Sequence, residues 1–479
     1  MVTIAINNNK CKIECTAKLR LQLQKAFKIR HPNAFFIRKG GYAQPGWDGK
    51  IDFITDAGYF KTGLLPQVCK WLDETKEEYT FEDHRLEFNV KPLVPKSIGD
   101  FTLVGDRRYQ RQAIKSIIFN NIKGLVFNIG VINAATNAGK TTIMAGLYLS
   151  YHRKIPAIIL LKDGDLFEQF KKEIPQLIGE EDFGYVRGKE AKWNNFTIAM
   201  VQTLSRDIKK YKKELTRFGM VLVDEADEGE SKSFRTILTN LYNTRIRVGL
   251  SGSIYMSKLA KDKPKTQALK SFFGDQVFEI TKKDMVASGH STPVVVKIHK
   301  GSDYKPIPKD WQLEYDTNIT NNIDRAKKGL KLLEFNAKLK RLPALVICRY
   351  HKHIELLYDL YNKKLGEKYR VEMVHGGIHS KIRKELLEDF RVGKIDILIS
   401  SFIIKRGKNH PLIRYIQNAA ATDSQETISQ IMGRGERTHE SKKIYYLDDF
   451  FDKGSYLQRH SKHRVIYYQK EGFKVIKKY

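Results

Sequence analysis

From about residue 96 onward the chain alternates short apolar runs with helical stretches, and that rhythm leaves few architectures open to it. The runs Ala157–Leu161, Thr197–Val201, Met220–Val223 and Arg247–Leu250 form one series of candidate strands. A second series follows at Ala344–Ile347, Val371–Val374, Ile395–Ile399, Leu412–Ile416 and Ile444–Leu447. Within the second series, Ala326, Leu330, Leu333 and Ala337 recur at helical spacing, as do Ile354, Leu357, Tyr358 and Tyr361. Strand, helix and strand in succession make a parallel sheet with helices on both faces, whose strands read as continuous apolar runs. Two series make two such α/β domains in tandem, joined near 288–296. No short repeat or long low-complexity tract interrupts them.

Residues 1–95 follow a different pattern and read as a small α/β module. The first fifty carry ten Lys/Arg against two acids, Glu14 and Asp48, whereas residues 51–95 carry five against nine. A helix near 17–30 gathers Leu19, Leu23, Ala26 and Phe27 on one face. A turn-rich stretch from Gly40 to Gly49 leads to alternation at Ile51 and Phe53, as in strands joined by tight turns. Trp47 in that stretch suits either a core position or a contact to a base or sugar. The expected boundaries are 1–95 for the module, 96–290 and 291–455 for the two α/β domains, and 456–479 for a basic tail. That tail, around His460, His463 and Arg464, holds seven Lys/Arg between 455 and 479 against one acid, Glu471.

Charge narrows the partners. Eighty-five Lys/Arg against 54 Asp/Glu give a net charge of +31, which self-repels unless a polyanion offsets it, and nucleic acid is the usual one. No apolar run approaches the ~20 residues that span a bilayer, and Asn7, Asn8, Asn9 and Lys10 interrupt any N-terminal signal pattern. The expectation is a cytoplasmic protein with no membrane partner. The four cysteines are too few and too scattered for a disulfide framework, and the Cys11/Cys15 pair has no second ligand pair near it for zinc.

Two motifs carry the chemistry. Ala134-Ala135-Thr136-Asn137-Ala138-Gly139-Lys140-Thr141 follows an apolar segment and precedes the helical run Thr142–Ser150. Such a loop cradles phosphates on backbone N–H groups at a helix N-terminus, with Lys140 reaching the β- and γ-phosphates and the Thr141 hydroxyl on Mg²⁺. The first glycine of the general pattern is Ala134 here. Val221-Leu222-Val223-Asp224-Glu225-Ala226-Asp227 is a buried strand ending in carboxylates. Asp224 at the strand tip suits Mg²⁺, and Glu225 is placed to polarise an attacking water.

The order of these and further motifs resembles the superfamily 2 helicases across about 96–455, and within them the phage UvsW-type branched-DNA helicases. Tyr109-Gln110 with Ala113 resembles the adenine-reading Q motif. Asp163, Leu166 and Gln169 match motif Ia, with Lys162 in place of a proline, and Gln202-Thr203 occupies a further strand-end contact. Ser251-Gly252-Ser253 resembles motif III, Cys348-Arg349-Tyr350 motif IV, and Gly407-Lys408-Asn409 motif V with Asn409 in place of an aspartate. His375-Gly376-Gly377 and Ser400-Ser401 fall at strand ends where a phosphate backbone can approach. Gln430-Ile431-Met432-Gly433-Arg434-Gly435-Glu436-Arg437 matches motif VI. The Trp47-Asp48-Gly49 turn, the form of the phosphate loop and the basic tail are the marks of the UvsW type.

The resemblance implies two RecA-like parallel-sheet domains in tandem behind a small N-terminal α/β domain. It implies an ATP-dependent DNA helicase that uses Mg²⁺ and acts as a monomer on branched or double-stranded DNA with little sequence specificity, RNA–DNA hybrids being a further substrate. Its catalytic set would be Lys140, Asp224, Glu225, Arg434 and Arg437, the two arginines acting across the cleft. Gln110, Thr136, Ala138, Gly139, Lys140, Thr141, Thr142 and Gly407 would hold nucleotide. Gln169, Gln202, Thr203, Arg349, Gly376, Gly377 and Ser401 would hold nucleic acid. If phage-encoded, the chain would work in the host cytoplasm. One rival is an RNA helicase of the DEAD-box kind, because Asp224–Asp227 spells that tetrapeptide. Against it, motif VI opens on Gln430 rather than the His-Arg pair usual there. A second is a nucleic-acid-binding protein with a decayed ATPase, motivated by Asn137, Lys162 and Asn409. A third, the translocase subunit of a restriction system, has no nuclease motif in this chain to support it.

Overall fold

A computed structural model describes residues 1–478 apart from 43, 106, 136, 230, 253–261, 308–309 and 406–409. It divides into a first unit, Met1–Ala134 with Gly139–Ile280, and a second, Ala135–Ala138 with Thr281–Tyr479. Thr136, Ser253, Gly407, Lys408 and Asn409 therefore lie outside the described residues.

The first unit is built on an eight-stranded sheet. In spatial order its strands are Glu190–Lys192, Phe183–Arg187, Phe196–Met200, Ala157–Leu161, Met220–Asp224, Ile246–Ser251, Ile129–Ala134 and Gln276–Ile280. All neighbours run parallel except the antiparallel hairpin at the Glu190–Lys192 edge. Ala157–Leu161 and Met220–Asp224 are buried at every position, as strands covered on both faces must be. The helix Lys140–Ser150 is apolar nearly all round and buried from Thr142 to Tyr148, so it belongs to the core rather than the surface. It packs closely on the helix Arg108–Ile118: a Cβ added at Gly146 would lie 2.4 Å from the Ile114 Cδ1.

The N-terminal module has its own four-stranded sheet, in the order Tyr59–Lys61, Lys10–Glu14, Val2–Ile6, Tyr79–Asp83. Its helix, Ala17–Phe27, ends three residues earlier than the periodicity predicts, because Lys28–Arg30 pairs with Lys50–Asp52 instead. Ala26 faces solvent and Gln24 is buried in its place. The module's core (Ile4, Leu23, Leu72 and neighbours) continues into Phe127 and Ile129. Asn8 and Asn9 donate to the carbonyls of Tyr242 and Thr239 at 3.1 and 3.0 Å. The module thus shares buried apolar surface with the larger sheet, and cutting at residue 95 would open that core.

The second unit holds a seven-stranded, all-parallel sheet in the order Val371–Val374, Ile397–Ser400, Ala344–Ile347, Tyr415–Asn418, Tyr445–Phe451, Val294–Lys300, Lys474–Lys478. The last strand is a correction. Residues expected to form a basic tail instead make the helix Leu457–Lys470 and an edge strand paired with Val294–Lys300. Arg464, counted among the charges of the expected basic tail, is 1% exposed. It bonds the Asp449 carboxylate at 2.9 Å and the carbonyls of Thr422 and Phe450. A guanidinium buried among acceptors stays in place because leaving it would strand the Asp449 charge. His463 and His460 face Asp423 at 2.7 and 3.7 Å. Among the described residues no helix is long and apolar enough to cross a membrane.

Candidate functional site

The phosphate loop emerges from Ile129–Ala134, six consecutive buried residues in the sheet. Asn137 and Gly139 both take left-handed backbone conformations, with φ of 72° and 74°. Left-handed residues of this kind mark the turns whose backbone amides bind anions, and here the turn is closed by Ala138 N donating to Ala135 O at 3.1 Å. Gly139 is required twice over, since a Cβ there would meet the Gln110 side-chain nitrogen at 2.2 Å. The helix starts at Lys140 with no side chain capping its first amides, leaving donors and the positive end of the dipole for an anion. Thr141 is half-buried, and Thr142 and Ala138 are buried beside it. Gln110 is completely buried against this loop.

Facing the loop, two strands away in the sheet, Met220–Asp224 ends in the acidic pair. Lys140 Nζ lies 3.1 Å from Asp224 Oδ1 and 3.4 Å from Glu225 Oε1. Glu225 itself has φ of 52°, a left-handed conformation costing roughly 1–2 kcal/mol for a residue with a Cβ. That turn brings the second carboxylate round to the ammonium rather than letting it follow the pleat away from it. Burial, reinforced by Asp224 and Asp227, pushes the Glu225 carboxyl up to about 7, against the pull of Lys140. Burial opposes the Lys140 charge, yet the Asp224 and Glu225 carboxylates outweigh it and hold the ammonium protonated well above its usual range. Behind them the Ser251 hydroxyl donates to Asp227 Oδ1 at 2.7 Å, tying the end of the next strand to the acidic turn.

The fit to Mg²⁺ rests on Asp224. Its Oδ1 is buried with no hydrogen-bond partner beyond the Lys140 ion pair, and it sits beside the loop that carries Thr141. No group of three His, Cys, Asp or Glu among the described residues could hold a metal alone. A phosphate-borne Mg²⁺ needs only one or two carboxylates, phosphates and waters.

The nucleic-acid candidates fall on neighbouring strand ends within each unit. In the first, Thr203 Oγ1 accepts from Gly188 N at 2.9 Å and Gln202 donates to the Lys162 carbonyl at 2.8 Å. The loops after three adjacent strands are thereby laced together. Gln169 bonds Glu173 on its own helix at 2.8 Å. In the second unit, Arg349, Gly376-Gly377 and Ser401 follow three adjacent strands, Ala344–Ile347, Val371–Val374 and Ile397–Ser400. Gly376 and Gly377 are exposed. The Arg349 guanidinium lies 5.1, 5.7 and 5.2 Å from the ring centres of Trp311, Tyr315 and Tyr350. That aromatic seat escaped the sequence reading because Trp311 and Tyr315 are more than thirty residues upstream.

Arg434 lies in the last turn of the helix Gln425–Gly435 and Arg437 just beyond it. Glu436 between them is buried and pairs with Lys282 at 2.8 Å. The backbone is held as well: Thr292 N donates to Glu436 O at 2.7 Å, and the Thr292 hydroxyl to Arg437 O at 3.0 Å. Lys442 donates to the Gly435 carbonyl at 2.9 Å, where a cation complements the helix dipole. Lys282 and Lys442 carry no motif that would single them out.

Comparison with known proteins places this geometry. Residues 104–255 match the family model described as type III restriction enzyme, res subunit, and residues 326–439 match the helicase conserved C-terminal domain. The ATP-dependent DNA helicase uvsW of Enterobacteria phage T4 is 23% identical over 98% of this chain and 97% of its own. Two solved structures share the fold. The ATP-dependent type ISP restriction-modification enzyme LlaBIII bound to DNA has a TM-score of 0.56 at 14% identity, covering 86% of this chain and 34% of that one. S. cerevisiae Dbp5 bound to RNA and ADP BeF3 has a TM-score of 0.51 at 14% identity, covering 77% and 89%.

Proposed function

The chain belongs to the superfamily 2 helicases, enzymes that hydrolyse ATP on nucleic acid, and from that premise we propose that it remodels branched DNA. The substrates are forks, Holliday junctions and R-loops, in recombination, repair and replication restart. The observation that carries this reading is the extent of the likeness to the phage DNA helicase, which takes in 98% of the chain and so includes the N-terminal module as well as the motor.

ATP enters a site already charged for it. Lys140 is shared by Asp224 and Glu225. An incoming triphosphate offers Lys140 stronger partners, and the loop amides and helix N-terminus take the remaining phosphate charge. Asp224 and Thr141 would hold Mg²⁺, which supplies charge neutralisation at the β- and γ-phosphates. Glu225, whose carboxyl is raised to about 7 and so titrates near the working pH, takes the proton from the attacking water in its ionised form. Arg434 and Arg437 stabilise the charge that develops in the transition state, a contribution worth roughly 10³–10⁵ in turnover where such arginines act.

Strand-end loops hold the track. Gln202 and Thr203 in the first unit, and Arg349, Gly376, Gly377 and Ser401 in the second, meet sugar and phosphate, which position without reading sequence. A comparison of ATP-dependent unwinding of a fork, a Holliday junction and a DNA–RNA hybrid, alongside ATPase stimulation by single-stranded RNA, tests the assignment. Preference for the branched DNAs is expected; stimulation by RNA alone would transfer the chain to the RNA branch.

A further inference from the structure

Resting on the DNA reading above, we propose that the described residues of 31–49 form an aromatic wedge whose Phe35 and Phe36 stack on unpaired bases where a branched DNA opens. This stretch leaves the module between the paired strands Lys28–Arg30 and Lys50–Asp52. Among its described residues only Ala34 and Gly49 are buried. Phe35 is 64% exposed, Phe36 70% and Tyr42 84%. Scattered exposed apolar residues need no explanation, but consecutive phenylalanines this exposed contribute nothing to the core and stay in water at a cost.

The rings stand on an ordered base. Trp47 donates its indole N–H to the Lys50 carbonyl at 2.7 Å, and its own carbonyl accepts from Arg38 at 3.0 Å. His31 N donates to Gly49 O at 2.9 Å, and its ring meets the Trp47 ring edge-on at 5.8 Å. Trp47 is thus a clasp, its polar edge already used. Phe35 and Phe36 sit edge to face, 5.5 Å apart, and Tyr42 N is tied back to Ile37 O at 3.1 Å.

Charge selects the occupant. The two acids here, Asp48 and Asp52, both pair with Lys28 at 3.6 and 3.1 Å. Among the described residues Arg30, Arg38 and Lys39 are shown with no carboxylate partner, whereas Lys50 interacts with the Asp48 carboxyl. Rings flanked by uncompensated cations match a single strand, whose bases stack on aromatics while its phosphates meet Lys and Arg. Apolar side chains inserted between base steps are also how proteins hold DNA unstacked. Stacking on an aromatic is worth roughly 5- to 150-fold in affinity per base.

The test uses the full chain with Phe35→Ala/Phe36→Ala, a Leu/Leu pair and a Trp/Trp pair, on a fork carrying 2-aminopurine at the base beside the junction. The alanine and leucine pairs are expected to melt with the wild type and to lose the 2-aminopurine response. Their fork unwinding should fall at least tenfold further than their ATP hydrolysis on blunt duplex, and the tryptophan pair should restore both signals. Unwinding unchanged in the alanine pair, or restored by leucine, overturns the wedge. So does loss of binding to phosphatidylserine vesicles, or a smaller particle mass than wild type, with fork unwinding intact, since these assign the face to lipid or to a second copy. Wild-type ATPase indifferent to any DNA overturns the parent reading instead and is seen before any variant is made.

Discussion

Replacing Glu225 with glutamine should make the nucleotide-free protein more stable at alkaline pH while abolishing turnover. The wild-type carboxyl is raised from 4.5 to about 7 by burial beside Asp224 and Asp227. A carboxyl raised on folding is held more readily protonated in the folded state, so the fold is penalised as pH rises from 4.5 through 7 and the penalty is complete above that. A displacement of this size corresponds to about 3 kcal/mol at 1.36 kcal/mol per pH unit. Because 38% of the side chain is exposed, solvent screening reduces this to about 1 kcal/mol. Glutamine keeps the shape and removes the charge, and Lys140 retains Asp224 at 3.1 Å. For a unit of this size that is a rise of roughly 2–4 °C in melting temperature at pH 8, shrinking to nothing near pH 4.5. Thermal melts of both proteins from pH 4.5 to 8.5 without nucleotide measure it, with phosphate release assayed in parallel. A variant less stable at pH 8, or a gain independent of pH, would refute the reasoning.

Three further outcomes follow from the same contacts. Gly139→Ala should cost roughly 1–2 kcal/mol for the left-handed backbone alone, with added strain from the Gln110 contact at 2.2 Å, and should abolish binding of a fluorescent ATP analogue; unimpaired binding would show that the loop does not close on phosphate. Arg464→Ala should destabilise the second unit by about 3–5 kcal/mol, by leaving Asp449 buried and unpaired, without altering the salt dependence of DNA binding at temperatures where it stays folded. A reduced salt slope would return Arg464 to the DNA surface. DNA affinity of the wild type should fall by orders of magnitude between low and moderate salt, as measured by anisotropy on a fork, and a flat profile would remove the basic surface from the account.

The sheets were legible because their inner strands are buried on both faces and therefore written as unbroken apolar runs. Ala157–Leu161 and Ala344–Ile347 fall at the bounds their sequence predicts. Two edge strands were not legible, Gln276–Ile280 being buried at Ile280 alone and Lys474–Lys478 carrying three lysines in five residues, whereas the edge strand Val371–Val374 was placed by its apolar ends. Leu412–Ile416 was placed early because Leu412 and Ile413 extend the apolar run before pairing begins at Tyr415. The tail misled for a related reason. Lysine and arginine counts cannot show that one arginine is buried against Asp449 or that the last strand joins a sheet edge.

At the site, motif order identifies Lys140, Asp224 and Glu225, and the structure brings both carboxylates within 3.4 Å of the Lys140 ammonium. Local spacing could not reveal the left-handed turn at Glu225, the Lys282–Glu436 pair or the aromatic seat of Arg349. Each depends on backbone geometry or on residues far apart in the chain. The exposed Phe35 and Phe36 were overlooked for the opposite reason. Apolar residues are presumed to be core until burial shows otherwise.

The central claim is that Lys140 and its two carboxylates form an ATP site driven by DNA. Phosphate release by the wild type and by Lys140→Ala, each with and without a forked duplex, tests it most directly. The wild type should be strongly stimulated by the fork, and the variant should lose turnover by at least a hundredfold on the order of the losses seen when a preorganised charge is removed. Wild-type hydrolysis indifferent to DNA, or a variant as active as the wild type, would contradict the account.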